Sequence, residues 1–313
     1  MYLGTAPAKI ILFGEHAVVY GRPALAAPVT HLRARAVIEK TGEPDVKLIA
    51  PDLGRSADLS TVKPNNPMAA IVRVLEKGLG RSLSAGYSLS ITSAIPIASG
   101  LGSGAAISVA VIRAFAQYLD LADTMTREEV SRLAYEVEKL HHGTPSGIDN
   151  TVIAYERPVY FVRREPDNII EPFTIARPLR LVIGDTGMRS ATRDVVESVG
   201  RHWTEDRDRF EAIFDACGRI ADASRALLAS GDLEAVGELM NENQVWLERM
   251  TVSSRRLERL IDTARDAGAL GAKLSGAGRG GNMIALVTPE TEENVVAAVS
   301  AAGAARVFLS DVG

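Results

Sequence analysis

The chain has 313 residues, of which 46% are hydrophobic and 24% charged, and it predicts a globular protein of two domains rather than one. Its net charge of -4 disfavours a nucleic-acid-binding role, and its most apolar stretch, Ala105–Ile112, is far shorter than the roughly 20 residues that a membrane span requires. Cys217 is the only cysteine and Met1–Lys9 lacks the apolar core of a signal peptide, so an internal disulfide is excluded and a cytoplasmic location is expected.

The first half of the chain predicts a mixture of strands and helices. β-branched content and partial alternation predict strands over Lys9–Phe13, Arg33–Glu39 and Val46–Ala50. Pro67–Gly78 predicts a helix, and Tyr87–Thr92 alternates as a half-buried strand does. An apolar helix is predicted over Ala105–Leu119, and Thr126 and Glu129 form a capping box that marks the start of the next helix.

The second half predicts a further α/β unit. A strand is predicted over Val159–Val162, and a turn follows it. We therefore expect the domain boundary near 165–180, which gives domains over 1–170 and 171–313. An apolar strand is predicted at Leu179–Gly184. Long helices follow at Glu205–Ala229, Leu233–Met250 and Ser254–Ala267. A strand, a glycine-rich loop and a second strand span Ala272–Val287, and the helix Glu292–Ala301 and the strand Val307–Leu309 complete the chain.

A glycine-rich loop between the strand Tyr87–Thr92 and the next helix is the most informative stretch. Backbone N–H groups of such a loop converge on an anion, and the positive end of the helix dipole favours phosphate. A tight strand-to-helix turn is the alternative interpretation of this loop taken alone. The candidate phosphate-binding residues are Pro96, Ile97, Ala98, Ser99, Gly100, Leu101, Gly102, Ser103, Gly104, Ala105 and Ala106.

Two further stretches carry candidate site residues. The strand within Pro7–Gly21 presents Lys9 at its start and Glu15 and His16 at its end, although solvated positions would look the same in isolation. The late loop Lys273–Gly281 matches G-x-G-x-x-G, the dinucleotide fingerprint. That fingerprint must open a helix, and a strand follows here, so a dehydrogenase is rejected.

These three stretches, in this order, resemble the GHMP kinase superfamily, and Gly14–Gly21 resembles its mevalonate kinases, of the shorter archaeal or bacterial type. A galactokinase would be expected to show Gly-Glu-His-Thr-Asp-Tyr there. The resemblance implies an α+β, two-domain GHMP kinase fold. Its N-terminal domain would be ribosomal-protein-S5-like α/β, and its C-terminal domain would be ferredoxin-like α+β.

The stretch Glu138–Asp149 resembles the same family, in which a glutamate precedes an aspartate by eleven positions. The resemblance implies that Asp149 and Lys9 are catalytic at the acceptor hydroxyl, with the division of work between them left open. It implies ATP on the Pro96–Ala106 loop and Mg²⁺ on Glu138, with Ser103 as a candidate second ligand.

The acceptor side is implied by the same resemblance. Glu15 and His16 would face the acceptor, and Arg193 would bind a substrate carboxylate. Two positions depart from the family pattern. Gly104 stands where many members have the serine that binds magnesium, and Arg279 stands where many have glycine, with a phosphate contact and a solvent-facing position both open to it.

The implied activity is ATP-dependent phosphorylation of (R)-mevalonate to (R)-5-phosphomevalonate, a step of isoprenoid biosynthesis. The alternatives are a phosphomevalonate kinase, a mevalonate 3-kinase or a diphosphomevalonate decarboxylase, all of which the Gly14–Gly21 segment disfavours. A non-catalytic metabolite sensor of the same fold has no need of Lys9, Glu138 and Asp149 together. Whether the chain forms a homodimer is left open.

Overall fold

The structure, a computed structural model, describes residues 1–63, 66–83, 85–96, 100–142 and 145–313. It divides into two compact units. The first unit comprises residues 1–8, 31–96 and 102–156, and the second comprises residues 9–30, 97–101 and 157–313. This grouping differs from the single division predicted at residue 170, because strands β1 (Tyr2–Phe13) and β2 (Ala24–Lys40) are long enough to contribute residues to both units.

The sheet of the first unit combines the second half of β2 with three shorter strands. These are β3 (Val46–Ala50), β4 (Arg55–Asp58) and β5 (Tyr87–Ser93), in the order β4-β3-β5-β2. β3 and β5 are parallel, and the other pairs are antiparallel. Alternate residues of β5, beginning with Tyr87, are buried, which confirms the half-buried strand that the sequence predicts.

The helices of the first unit are α1 (Pro67–Leu79), α2 (Ser103–Tyr118), α3 (Arg127–His142) and α4 (Ile148–Tyr155). The predicted capping box at the start of α3 is confirmed. The Glu129 backbone N–H donates to Thr126 Oγ1 at 3.2 Å, and the Thr126 N–H donates to the Glu129 carboxylate at 2.8 Å. The sequence analysis did not predict α4, which is only eight residues long.

The second unit contains an antiparallel sheet ordered β11-β8-β10-β9. Its strands are β8 (Leu179–Asp185), β9 (Gly271–Ser275), β10 (Asn282–Val287) and β11 (Arg306–Val312). The strands β6 (Val159–Val162) and β7 (Ile169–Pro172) pair with each other, and β6 also pairs with residues 24–26 of β2. Together with the helices between them, β8 to β11 have the βαββαβ connectivity and strand order of a ferredoxin-like domain.

The helices of the second unit are α5 (Thr192–Glu205), α6 (Arg207–Ser230), α7 (Leu233–Arg249), α8 (Arg255–Asp266) and α9 (Glu292–Ala301). Their apolar faces join those of β8, β9 and β10 in one buried cluster, which includes Cys217. Trp203 and Trp246 pack against this cluster. Among the described residues, no helix has both the length and the apolar character that crossing a bilayer demands.

Candidate active site

The N-terminus of α2 lies in the predicted phosphate loop. Gly102 caps the helix with a φ of 74°, a left-handed conformation that favours glycine, and its cap includes no side-chain hydrogen bond. The first N–H groups of α2 therefore point out of the helix end, as an anion site requires. The candidate loop residues Ile97, Ala98 and Ser99 lie outside the described residues.

Glu138 lies beside this helix end, within the first unit. Its side chain is only 7% exposed. Its Oε1 lies 3.4 Å from the position that a Cβ would take on Gly104, the second residue of α2. Carboxylate and hydroxyl oxygens are the ligands that Mg²⁺ prefers, and Ser103 is the adjacent residue of the same helix turn. The oxygen donors present thus fit a magnesium ion that also binds nucleotide phosphates.

Asp149 is the second residue of α4 and is half-buried. The neighbouring Asn150 fixes this turn of α4 on α3, because its amide donates to Ser131 O at 3.0 Å and to Ser131 Oγ at 2.9 Å. Ser131 precedes Glu138 by two helical turns, so both lie on one face of α3, about 10 Å apart along its axis. The face of α3 that carries Glu138 is thus also the face that Asn150, the neighbour of Asp149, contacts.

Lys9 belongs to the second unit, where it lies in β1 and is 3% exposed. Its backbone N–H donates to Leu101 O at 3.0 Å, which ties the strand to the phosphate loop. Ser275 holds the following part of the strand, since its hydroxyl accepts from Ile11 N at 3.1 Å and donates to Ile11 O at 2.9 Å. Lys9 is therefore presented from a strand that is fixed along its length.

Glu15 and Lys273 form an ion pair in the interior of the second unit. Both side chains are fully buried, and the ammonium also donates to Leu274 O at 2.6 Å. Burial raises the pKa of Glu15 and lowers that of Lys273, and the attraction between the two charges opposes both shifts. Glu15 Oε2 accepts no hydrogen bond from any residue that the structure describes. That Glu15 contacts the acceptor remains a prediction, and its buried pairing favours a role in fixing the Gly14–His16 segment.

His16 is also buried, and its Nε2 donates to Ala277 O at 2.8 Å, because a carbonyl oxygen can only accept. Burial lowers the pKa of His16 to about 4, and the positive charge of Arg279 acts in the same direction. The imidazole is therefore neutral near pH 7, and its Nδ1 bears the lone pair.

Residues of β9 and of the late glycine loop contact the end of β1 and the Gly14–His16 segment that follows it. Lys273 pairs with Glu15, Ser275 bonds to Ile11, and Ala277 accepts from His16. Lys273 and Ser275 are two positions apart in β9, so their side chains lie on the same side of the strand, whereas the Ala277 contact is made by a backbone carbonyl in the loop after β9. The late loop therefore positions the Gly14–His16 segment.

Arg193 occupies the first turn of α5, which the sequence analysis did not predict as a helix. Its guanidinium is exposed, and its Nε donates to Glu197 at 2.8 Å, one turn later. Arg279, in contrast, donates to Thr251 O and to Ser198 Oγ. The sequence left open a phosphate contact or a position facing solvent for Arg279, and these two contacts with protein atoms correspond to neither.

The sequence analysis missed two positioning groups. Lys273 lies between Ala272 and Leu274 in an otherwise apolar strand, and a lysine there signals a buried partner. Asn150 follows Asp149 directly, but its bond to Ser131 spans 19 residues, and no local pattern encodes it.

The sequence models for the GHMP kinases N terminal domain and the GHMP kinases C terminal region match residues 66–157 and 224–305. The mevalonate kinase of Pyrococcus abyssi is 38% identical, with 97% of this chain and 93% of the relative covered. The crystal structure of L. major mevalonate kinase in complex with R-mevalonate is 30% identical and matches with a TM-score of 0.86, over 100% of this chain and 96% of that one. The Methanococcus jannaschii mevalonate kinase structure is 26% identical, with a TM-score of 0.84 over 100% and 98% of the two chains. The chain belongs to the mevalonate kinase family of the GHMP kinases.

Proposed function

We propose that this protein transfers the γ-phosphoryl group of ATP to the 5-hydroxyl of (R)-mevalonate, giving (R)-5-phosphomevalonate and ADP. The observation that carries the phosphoryl-transfer part is Glu138 beside the glycine-capped N-terminus of α2. A helix N-terminus favours phosphate, and a carboxylate beside it supplies the cation ligand that a nucleotide needs. Membership of the mevalonate kinase family supports the choice of acceptor.

The transfer forms one bond and breaks one. The 5-oxygen of the acceptor attacks the γ-phosphorus, and the bond from that phosphorus to the β,γ-bridging oxygen breaks, so its electron pair leaves with ADP. The hydroxyl proton passes to the Asp149 carboxylate, which we assign as the general base. Lys9 is assigned to the charge that develops on the transferring group, and its place in a fixed strand suits that role.

The nucleotide phosphates are assigned to the Pro96–Ala106 loop, and Mg²⁺ to Glu138 with the Ser103 hydroxyl. When bound, the ion neutralises phosphate charge. A serine Cβ at position 104 would lie 3.4 Å from Glu138 Oε1, so the family's second serine would stand next to this carboxylate. Because glycine takes that place here, the Ser103 hydroxyl or water would supply the remaining oxygen ligand.

His16 and Arg193 are assigned to binding of the acceptor. The ion pair between Glu15 and Lys273 fixes the Gly14–His16 segment. Neutral His16 can form a hydrogen bond with an oxygen atom of mevalonate without adding charge to the site. Arg193 pairs with Glu197 on the exposed face of α5, and the carboxylate of mevalonate would take the place of that partner.

The experiment measures ADP release from ATP and mevalonate by purified wild-type protein and by Asp149→Asn. We expect wild-type turnover and a loss of about 10²–10⁴-fold in the variant, with ATP binding by calorimetry retained. Asp120→Asn is the matched control, since Asp120 is an exposed aspartate of the same unit whose positive φ asparagine tolerates. Near-normal turnover of folded Asp149→Asn would overturn the assignment of the base.

A further inference from the structure

Arg279 occupies an unusual backbone position in the late glycine loop. Its φ is 55°, in the left-handed region that disfavours residues with a Cβ. Its backbone N–H donates to Val252 O at 2.6 Å, in the turn between α7 and α8. An arginine at such a position requires compensating contacts from its side chain.

The guanidinium makes those contacts with two different segments. Nε donates to Thr251 O at 3.1 Å, and Nη2 donates to Ser198 Oγ at 3.0 Å. Ser198 is a 5% exposed residue of α5. The planar fork of arginine suits this arrangement, because two donors at a fixed angle can bridge two acceptors.

The carbonyl oxygen of Arg279 adds a third connection. It accepts from Ser190 Oγ at 3.2 Å, in the loop between β8 and α5. Two residues after Arg279 in the late glycine loop, Gly281 N donates to Met188 O at 3.0 Å, and Met188 lies in the same loop as Ser190. Arg279 therefore holds the chain on both sides of Arg193, at Ser190 before it and at Ser198 after it.

We propose that Arg279 is a positioning residue that fixes the Ser190–Ser198 segment and thereby sets the affinity of Arg193 for the acceptor carboxylate. The inference rests on the acceptor assignment made under Proposed function. It follows from the hydrogen bonds of one residue to both flanks of Arg193.

The kinetic test uses Arg279→Gly, because glycine adopts a positive φ without strain and removes the side chain alone. We expect the KM for mevalonate to rise about tenfold, as the loss of one charge-assisted hydrogen bond predicts. The kcat and the KM for ATP should change less than about twofold, because the variant loses binding energy that the acceptor has equally in the ground state and in the transition state. Ser198→Ala should give a smaller rise of the same kind, and Arg279→Lys should restore part of the loss. Arg201→Ala removes an exposed arginine of α5 and should leave all constants unchanged.

Hydrogen exchange of the ligand-free proteins provides a readout that does not depend on the substrate. Amides of residues 194–198 should exchange faster in Arg279→Gly than in the wild type, because the side-chain contact to Ser198 is lost while the backbone contact to Ser190 remains, and those of α6 should not change. Unchanged exchange in this segment, or equal rises in KM for ATP and mevalonate, would overturn the proposal. If wild-type protein does not phosphorylate mevalonate, the proposed function fails, and faster exchange would then support only the structural connection and contradict the role in acceptor binding.

Discussion

The buried pair of Glu15 and Lys273 gives the most demanding prediction of stability. Lys273→Met removes the cation and leaves a carboxylate at a site where both side chains are fully buried. Breaking a buried pair by removing one partner costs about 3–5 kcal/mol, because the remaining charge has lost its compensation. Among the described residues Glu15 Oε2 accepts no hydrogen bond even in the intact pair, and the charge of Lys9 acts on Glu15 more weakly than that of Lys273.

Urea unfolding followed by tryptophan fluorescence is the assay. Trp203 and Trp246 are the only tryptophans, and both lie in the second unit with the pair, so the signal reports on that unit. With a dependence of about 2–3 kcal/mol per molar urea, the midpoint should fall by about 1–2 M. The matched control is Glu15→Gln/Lys273→Met, which has no buried charge and should recover most of the loss.

The pH dependence of Lys273→Met has a definite sign. Burial already raises the pKa of Glu15 above its ordinary value of 4.5, and losing Lys273 raises it further. The folded state then binds more protons than the unfolded state, so stability is lost as pH rises above 4.5. The deficit should therefore be smaller at about pH 5.5 than at about pH 8. A double variant as unstable as the single one, or a deficit that grows in acid, would refute the reasoning.

Two further predictions concern the magnesium ligand and the late loop. Glu138→Gln should raise the Mg²⁺ concentration for half-maximal rate several-fold, because the amide keeps the shape and removes the charge; an unchanged titration would move the ion elsewhere. Gly278→Ala should lower the unfolding free energy by more than Gly303→Ala does, by about 1–3 kcal/mol. Both glycines have positive φ, but a Cβ on Gly278 would lie 2.0 Å from Val252 O, whereas nothing lies within 4 Å of one on Gly303. Equal losses of unfolding free energy in the two variants, measured by urea unfolding, would show that Val252 O moves away from the added Cβ at little cost.

Local patterns predicted most of the regular structure. The capping box at Thr126, the alternation from Tyr87 and the apolar run of α2 each depend on residues a few positions apart, and each is confirmed. α5 was missed because Gly200 interrupts a short apolar face, and α4 because eight residues give too few turns for a periodic signal.

Motifs predicted the candidate residues, but not the contacts that position them. Glu15 and Lys273 are separated by 258 positions, and Arg279 and Ser198 by 81. Such pairs depend on which strands become neighbours in the fold, and a single sequence contains no local pattern for that choice. The Gly-Glu-His segment could therefore be located from the sequence, while the reason for its burial could not.

The choice of acceptor is the central claim, and comparing substrates tests it most directly. Phosphorylation of mevalonate and of 5-phosphomevalonate by the purified protein should be measured as kcat/KM, with phosphorus NMR of the product. We predict a preference for mevalonate of at least about tenfold and a phosphate on the 5-oxygen. The proposed assignments are the reason: the phosphate of 5-phosphomevalonate would be repelled by the carboxylate assigned as the base, and the arginine assigned to the acceptor would already bind the mevalonate carboxylate. A preference for 5-phosphomevalonate, or a product phosphorylated on the 3-oxygen, would contradict the account.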